Sequence, residues 1–220
     1  MSFDAFATNE LINATKSGDV DRMRAALKAG GDPDAVSACE PLVCFAAGST
    51  ACADDVLDVL LAAGANPNQP DEWGICALSY AVAKRKWPRT DALLKAGADV
   101  NFQHEKGISK TVLFNAVMLD LDKGEATHTA CVLSLKPDLD VRMFTDDMLR
   151  TYTVAEHLAR VRELEPGKDN AVQALLNMIA RHAQAHPPAP SAEDATTAAA
   201  RQALVLRLRQ GAQGRYKLGK

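Results

Sequence analysis

The chain has 220 residues, 47% hydrophobic, 24% charged and only 5% aromatic. That balance is globular, leaves room for a sizeable core and excludes a disordered chain. The net charge of -3 is unevenly placed: from Pro187 onward six basic and two acidic residues give +4, which leaves residues 1 to 186 at -7. An acidic body repels phosphates, which excludes duplex nucleic acid as its main ligand.

In chain order, the opening "MSFDAFATNELINATK" carries acidic and polar residues where a cleaved signal needs a basic start and an apolar run. No apolar stretch reaches the roughly 20 residues that span a bilayer. The expected location is the cytoplasm, or export by a route without a cleaved signal. The five cysteines (Cys39, Cys44, Cys52, Cys76, Cys131) are odd in number and lack a CxxC pair. They read as reduced, mostly buried small hydrophobes.

Three apolar helical runs then end in the same way: "MRAALKAG" at Gly30, "VLDVLLAAG" at Gly64 and "TDALLKAG" at Gly97. The glycines are 34 and 33 residues apart, a period that signals stacked repeats. Glycine suits the residue after a helix because it takes the left-handed backbone region without a Cβ clash. Asp32-Pro33-Asp34, Asn66-Pro67-Asn68 and Asp99-Val100-Asn101 follow as turn formers. A second, shorter helix is predicted in "EPLVCFAAG" (40–48), "CALSYAVAK" (76–84) and "TVLFNAVML" (111–119). One period is therefore helix, tight turn, helix, loop, and neither helix buries its apolar stripe without a neighbouring unit.

"LLAAGANPN" and "LLKAGADVN" resemble the end of the ankyrin repeat, L-L-x-x-G-A-D-x-N, and Leu42, Leu78 and Leu113 match the leucine of its T-P-L-H-x-A helix start. Val43, Ser79 and Phe114 stand where the family has histidine, so its usual network between units must be carried otherwise. The resemblance covers about residues 8 to 185 and implies an all-α solenoid of stacked antiparallel helix pairs. Regularity fails twice: three extra residues fall around "GSTACA" and four around "LDLDKGEA". After "LKPDLDV" the pattern decays into a degenerate C-terminal repeat, with "TYTVAEHLARV" and "NAVQALLNMIARH" as a terminal helix pair. The expected organisation is a repeat domain at 1–185 of about five helix pairs, a proline-rich linker at 186–190 and a basic helix and tail at 191–220.

The resemblance also implies a non-catalytic module that binds a protein, as adaptor or inhibitor, through loop tips and first helices. By register that face contains Pro70, Glu72, Trp73, Ile75, Ala83 and Lys84, then Gln103, His104, Glu105, Lys106 and Ile108, and in the irregular fourth loop Arg142, Met143 and Phe144. Trp73 is the foremost candidate, because tryptophan offers large apolar area at small entropic cost. Its ring either serves a partner or folds over the neighbouring loop. Trp87 is expected to fill the core slot that Arg89 would otherwise take. A toxin-neutralising or effector role would use the same surface.

Cues for chemistry are weak. Gly214 to Lys220 reads G-x-x-x-x-G-K but lacks the Ser or Thr, the strand and the helix of a phosphate loop. His128 and Cys131 form H-x-x-C without a second ligand pair, and read as a packed cysteine beside a surface histidine rather than zinc ligands. Asp54-Asp55 and Asp146-Asp147 fall at predicted helix starts, where acidic charge is favourable. His157 reads as a helical surface or interface residue, and "KRK" at 84–86 as a solvated corner. No catalytic set, cofactor or metal is expected. Leu204, Val205, Leu206 and Leu208 among arginines read as a helix capping the stack, or alternatively as an anionic-membrane or nucleic-acid tether.

Overall fold

The computed structural model describes residues 3–51, 53–103, 111–144 and 151–186. Ten α-helices among them make the protein all-α, and none is long and apolar enough to cross a membrane. The first pair is α1 (Ala5–Ser17) and α2 (Val20–Lys28). Asp4 caps α1 by accepting from the Ala7 N–H at 2.7 Å, and Asp19 caps α2 from the Arg22 N–H at 3.0 Å. These side-chain oxygens serve amide groups that have no partner inside their helix.

A two-residue antiparallel ribbon follows, β1 (Val36–Ser37) with β2 (Glu40–Pro41), and leads into α3 (Leu42–Gly48) and α4 (Asp54–Ala62). The third pair is α5 (Ala77–Ala83) and α6 (Trp87–Lys95), the fourth α7 (Val112–Lys123) and α8 (Thr127–Ser134). A second ribbon, β3 (Met143–Phe144) with β4 (Thr151–Tyr152), precedes α9 (Val154–Leu164) and α10 (Asp169–Ala185). Thr153 and Glu156 close a reciprocal cap on α9, each side chain bonding the other's backbone N–H.

Packing follows chain order. Helix α1 lies against α3, α3 against α5, α5 against α7 and α7 against α9, while α2 meets α4, α4 meets α6 and α8 meets α10. The core is one continuous apolar cluster from Leu11 and Met23 through Leu57, Leu78, Leu93 and Leu113 to Leu175. Short helices with alanine at the contacts (Ala46, Ala47, Ala77, Ala81) allow this close approach. Gly30, Gly64 and Gly97 hold φ of 95°, 89° and 91°, the left-handed region expected after each second helix.

The Asx residues beyond those glycines form a repeating hydrogen-bond series. Within each loop the first Asx accepts the N–H two residues on: Asp32 from Asp34 (2.9 Å), Asn66 from Asn68 (3.0 Å), Asp99 from Asn101 (2.8 Å) and Asp138 from Asp140 (2.9 Å). The second Asx then reaches the next loop. Asp34 accepts from the Asn66 N–H at 2.6 Å, Asn68 from Asp99 at 2.8 Å and Asn101 from Asp138 at 2.8 Å. A sequence pattern that reads as turn chemistry is thus also a link between units.

The two irregular insertions have separate structural uses. Four extra residues let α7 run for 12 residues where α3 and α5 have 7, ending at Gly124 with φ 66°. The segment after α3 instead wraps Arg89, which overturns the expectation for Trp87. Arg89 is 1% exposed, whereas Trp87 is 36% exposed at the start of α6. The guanidinium bonds Asp54 Oδ1 at 2.7 Å, the Ala46 carbonyl at 2.7 Å and the Ser49 carbonyl at 2.6 Å. Those carbonyls close the short α3, which has no further turn to satisfy them, so a cation is favoured over an apolar side chain here.

Candidate functional site

Two loops lead into the first helices of neighbouring pairs, the β1–β2 ribbon before α3 and residues 70–75 before α5. The second is built around Asp71, a buried carboxylate. Its Oδ1 accepts from the N–H groups of Trp73 (2.9 Å) and Ile75 (2.8 Å), and its Oδ2 from the Tyr80 hydroxyl at 2.6 Å. The Asp71 backbone closes the turn from both sides: its carbonyl accepts from Gly74 N–H and its N–H donates to the Ile75 carbonyl, both at 3.0 Å. Gly74 takes φ 77° to allow this. Burial, then the Asp71 carboxylate, push the Tyr80 phenol well above its ordinary range, so it stays a donor to Asp71. Trp73 therefore sits on a loop whose backbone is fixed from below, and its side is 60% exposed. It does not fold down over the neighbouring loop.

On the preceding ribbon Ala38 and Cys39 have φ of 51° and 67°, the geometry of a tight hairpin turn usually given to Asn-Gly. Val36 is 52% exposed beside it, and Cys39 is exposed. A hydrogen bond to the Glu72 carboxylate, then that carboxylate's charge, push the Cys39 thiol up. Glu40 is also raised, by its own burial and then by Asp71, with Lys16 acting in the opposite sense. Lys16 itself donates to Ser37 Oγ at 2.7 Å. Around the two loops the carboxylates of Glu40, Asp71 and Glu72 are thus accompanied by the cation of Lys16.

Of the residues assigned to the face from sequence, Pro70 and Ile75 are half-buried, Glu72 and Lys84 exposed, and Ala83 half-buried at the end of α5. Gln103 and Arg142 are brought together: Gln103 Nε2 donates to the Arg142 carbonyl at 3.0 Å. The Arg142 guanidinium pairs with Glu156 at 3.2 Å, which ties the fourth loop to α9. Met143 and Phe144 lie in β3, paired with β4. His104, Glu105, Lys106 and Ile108 lie outside the described residues, as do Asp146-Asp147 and the segment from Pro187 onward.

A second polar cluster sits at the turns of the third and fourth pairs. His128 is fully buried and not at the surface, because its ring Nδ1 meets Asp120 Oδ1 at 2.6 Å and both groups are enclosed between α7 and α8. Asp120 also accepts the N–H groups of His128 (3.2 Å) and Thr129 (2.7 Å). Burial alone would raise the Asp120 pKa, but these bonds outweigh it and hold the carboxyl below its ordinary range. Arg85, in the left-handed region at φ 55°, points its Nε at His128 Nε2 (3.4 Å) and pairs with Glu125. The basic corner at 84–86 is therefore partly an interhelix clamp.

Asp120, Glu125 and His128 bring three metal-type ligand atoms within 4.8 Å of one another. Arg85 already supplies positive charge there, and both Asp120 oxygens already accept N–H groups, so the cluster is balanced without an ion. Cys44 and Cys76 are buried and Cys131 is half-buried. His157 is an interface residue, its ring 4.9 Å from Phe114 and 5.0 Å from Tyr152.

Sequence reasoning named Trp73 and Glu72 as candidates and did not name Asp71, Cys39, Val36 or the Asp120–His128 pair. Asp71 had a readable signal in the Asp-x-x-Gly turn of "DEWG". No local signal marks Cys39, whose relation to Glu72 arises only in the folded chain. No protein-family model matches the sequence, and no curated protein matches it either.

Proposed function

We propose that the chain is a non-catalytic, ankyrin-type repeat module that binds another protein through its loop tips and first helices. The order of helix packing and the Asx series between consecutive loops support the repeat reading. The links expected of the missing histidines are replaced by other donors. Asn115 Nδ2 donates to Ser79 Oγ at 3.3 Å between α7 and α5, and the Cys44 thiol reaches the Gln69 carbonyl at 3.4 Å.

The observation that carries the binding function is Trp73, a large aromatic exposed to water on a loop whose backbone Asp71 and Tyr80 immobilise. An aromatic held this way buries apolar area with little further loss of freedom on binding. A non-catalytic role is favoured by the character of the depressions among the described residues, which are open to solvent. One lies between α4 and α6 and is lined by Asp58, Leu61, Pro88, Ala92, Lys95 and Ala96, without convergent catalytic groups.

The test is affinity capture from the source cells with the wild-type chain, Trp73→Ala and Trp87→Ala in parallel. A protein held by wild type and Trp87→Ala but lost with Trp73→Ala supports the reading, given equal melting temperatures for all three. Equal recovery on Trp73→Ala places the binding surface elsewhere.

A further inference from the structure

The binding face described above has a chemical character that identifies what it would accept, and this inference rests on that reading. Trp73 is bordered by Glu72, which forms no ion pair with any described residue. The Cys39 thiol on the preceding loop, which Glu72 pushes up, adds no positive charge. The acidic side chains close by are otherwise occupied. Asp71 is filled by two N–H groups and the Tyr80 hydroxyl, and Asp34 by the Asn66 N–H. Glu40 is half-buried against Asp71 and has only Lys16 as a nearby cation. The face therefore combines an exposed aromatic ring and an adjacent carboxylate without a paired cation among the described residues.

An apolar partner group would cover Trp73 but leave Glu72 to lose water uncompensated. An anionic group would meet repulsion from Glu72, Glu40 and the acidic body. A cationic side chain meets both needs, since its charge is attracted to the ring face and to the carboxylate together. Arginine is favoured over lysine, because a planar guanidinium stacks on the indole while its edge donates to a carboxylate. We infer that Trp73 and Glu72 form a recognition site for an arginine carried on a segment of the partner protein.

The test uses the full-length chain labelled with nitrogen-15, with the Trp73 indole N–H identified by comparison with Trp87→Phe. The probe is a blocked peptide of alternating glycine and arginine, run beside the same peptide with lysine or with citrulline, the uncharged arginine analogue. The arginine peptide should move the Trp73 indole and Glu72 amide signals saturably, lysine more weakly and citrulline not at all. Glu72→Gln should weaken arginine binding about fivefold, the scale of one partly exposed cation interaction. Trp73→Ala should abolish the shift at Glu72 while leaving the rest of the spectrum unchanged. Equal shifts with citrulline, or no change with Glu72→Gln, overturn the cationic assignment. If a partner is captured through Trp73 while the arginine peptide does not bind, the arginine assignment falls and the binding face stands. If Trp73→Ala retains the partner, the face itself falls.

Discussion

Arg89 gives the sharpest test of how the units are joined. Its guanidinium is buried and makes two short, charge-assisted bonds to the Ala46 and Ser49 carbonyls, plus one to Asp54. The Asp54 side chain is 52% exposed, so that ion pair is largely screened and removing it should cost less than about 1 kcal/mol. The carbonyl bonds matter more, because Ala46 is fully buried and its oxygen has no easy replacement by water. Charge-assisted bonds of this kind contribute about 1.5–3 kcal/mol each, and part of the loss at half-buried Ser49 is recovered by hydration. Arg89→Ala should therefore destabilise the chain by about 3–4 kcal/mol. Arg89→Leu restores apolar packing without serving the carbonyls, and should cost about 2 kcal/mol. Asp54→Ala should rank last. Urea unfolding followed by far-UV circular dichroism measures all three, with an unchanged slope required for the comparison. Near-wild-type stability of Arg89→Leu, or an Asp54→Ala cost equal to that of Arg89→Ala, would refute carbonyl capping as the reason for this buried cation.

Cys39→Gly should raise the melting temperature by about 2 °C, because glycine occupies φ 67° without the penalty a side chain carries; an unchanged or lower value in a thermal scan would contradict this. Asp120 contributes stability with a definite pH window. Its folded pKa lies below the ordinary 3.8, so the contribution is fully present above that value and is lost as pH falls through the lower folded value. The stability gap between wild type and Asp120→Asn should accordingly shrink in urea titrations below about pH 4, whereas a gap constant down to that range would remove the carboxylate from the account. The Cys44 thiol is pushed up chiefly by burial, as is that of Cys76. Both should resist iodoacetamide in the native chain and react in denaturant, as read by mass spectrometry of the alkylated peptides; native labelling of either would contradict their burial.

Much of the architecture was legible because it is written in residues that act locally. Gly30, Gly64 and Gly97 mark left-handed helix ends, and the apolar runs before them supply the buried stripe. The Asx pairs were readable as turns, but their reach to the next loop depends on how far apart the fold sets those loops, which no local pattern encodes. Arg89 was misread for the same reason. Its position calls for an apolar residue until the end of α3 and the segment after it bring the Ala46, Ala47 and Ser49 carbonyls and Asp54 around it. His128 likewise looks like a surface histidine until the lengthened α7 delivers Asp120 beside it. At the candidate site Trp73 was named because a tryptophan in a polar loop is unusual in composition alone, and the structure shows it exposed. Its support by Asp71 and its relation to Cys39 lie across loops and helices, and became visible only in three dimensions.

The central claim is that consecutive units are pinned to one another through the Asx loops. Residue-resolved amide hydrogen exchange tests it most directly. The N–H groups of Asn66, Asp99 and Asp138 lie in exposed loops, yet each donates to an Asx side chain of the preceding loop. All three should exchange far more slowly than unprotected loop amides, and Asn68→Ala should release Asp99 selectively while Asn66 stays protected. Exchange of the three at free-loop rates in the wild-type chain would contradict the stacked arrangement on which the binding face depends.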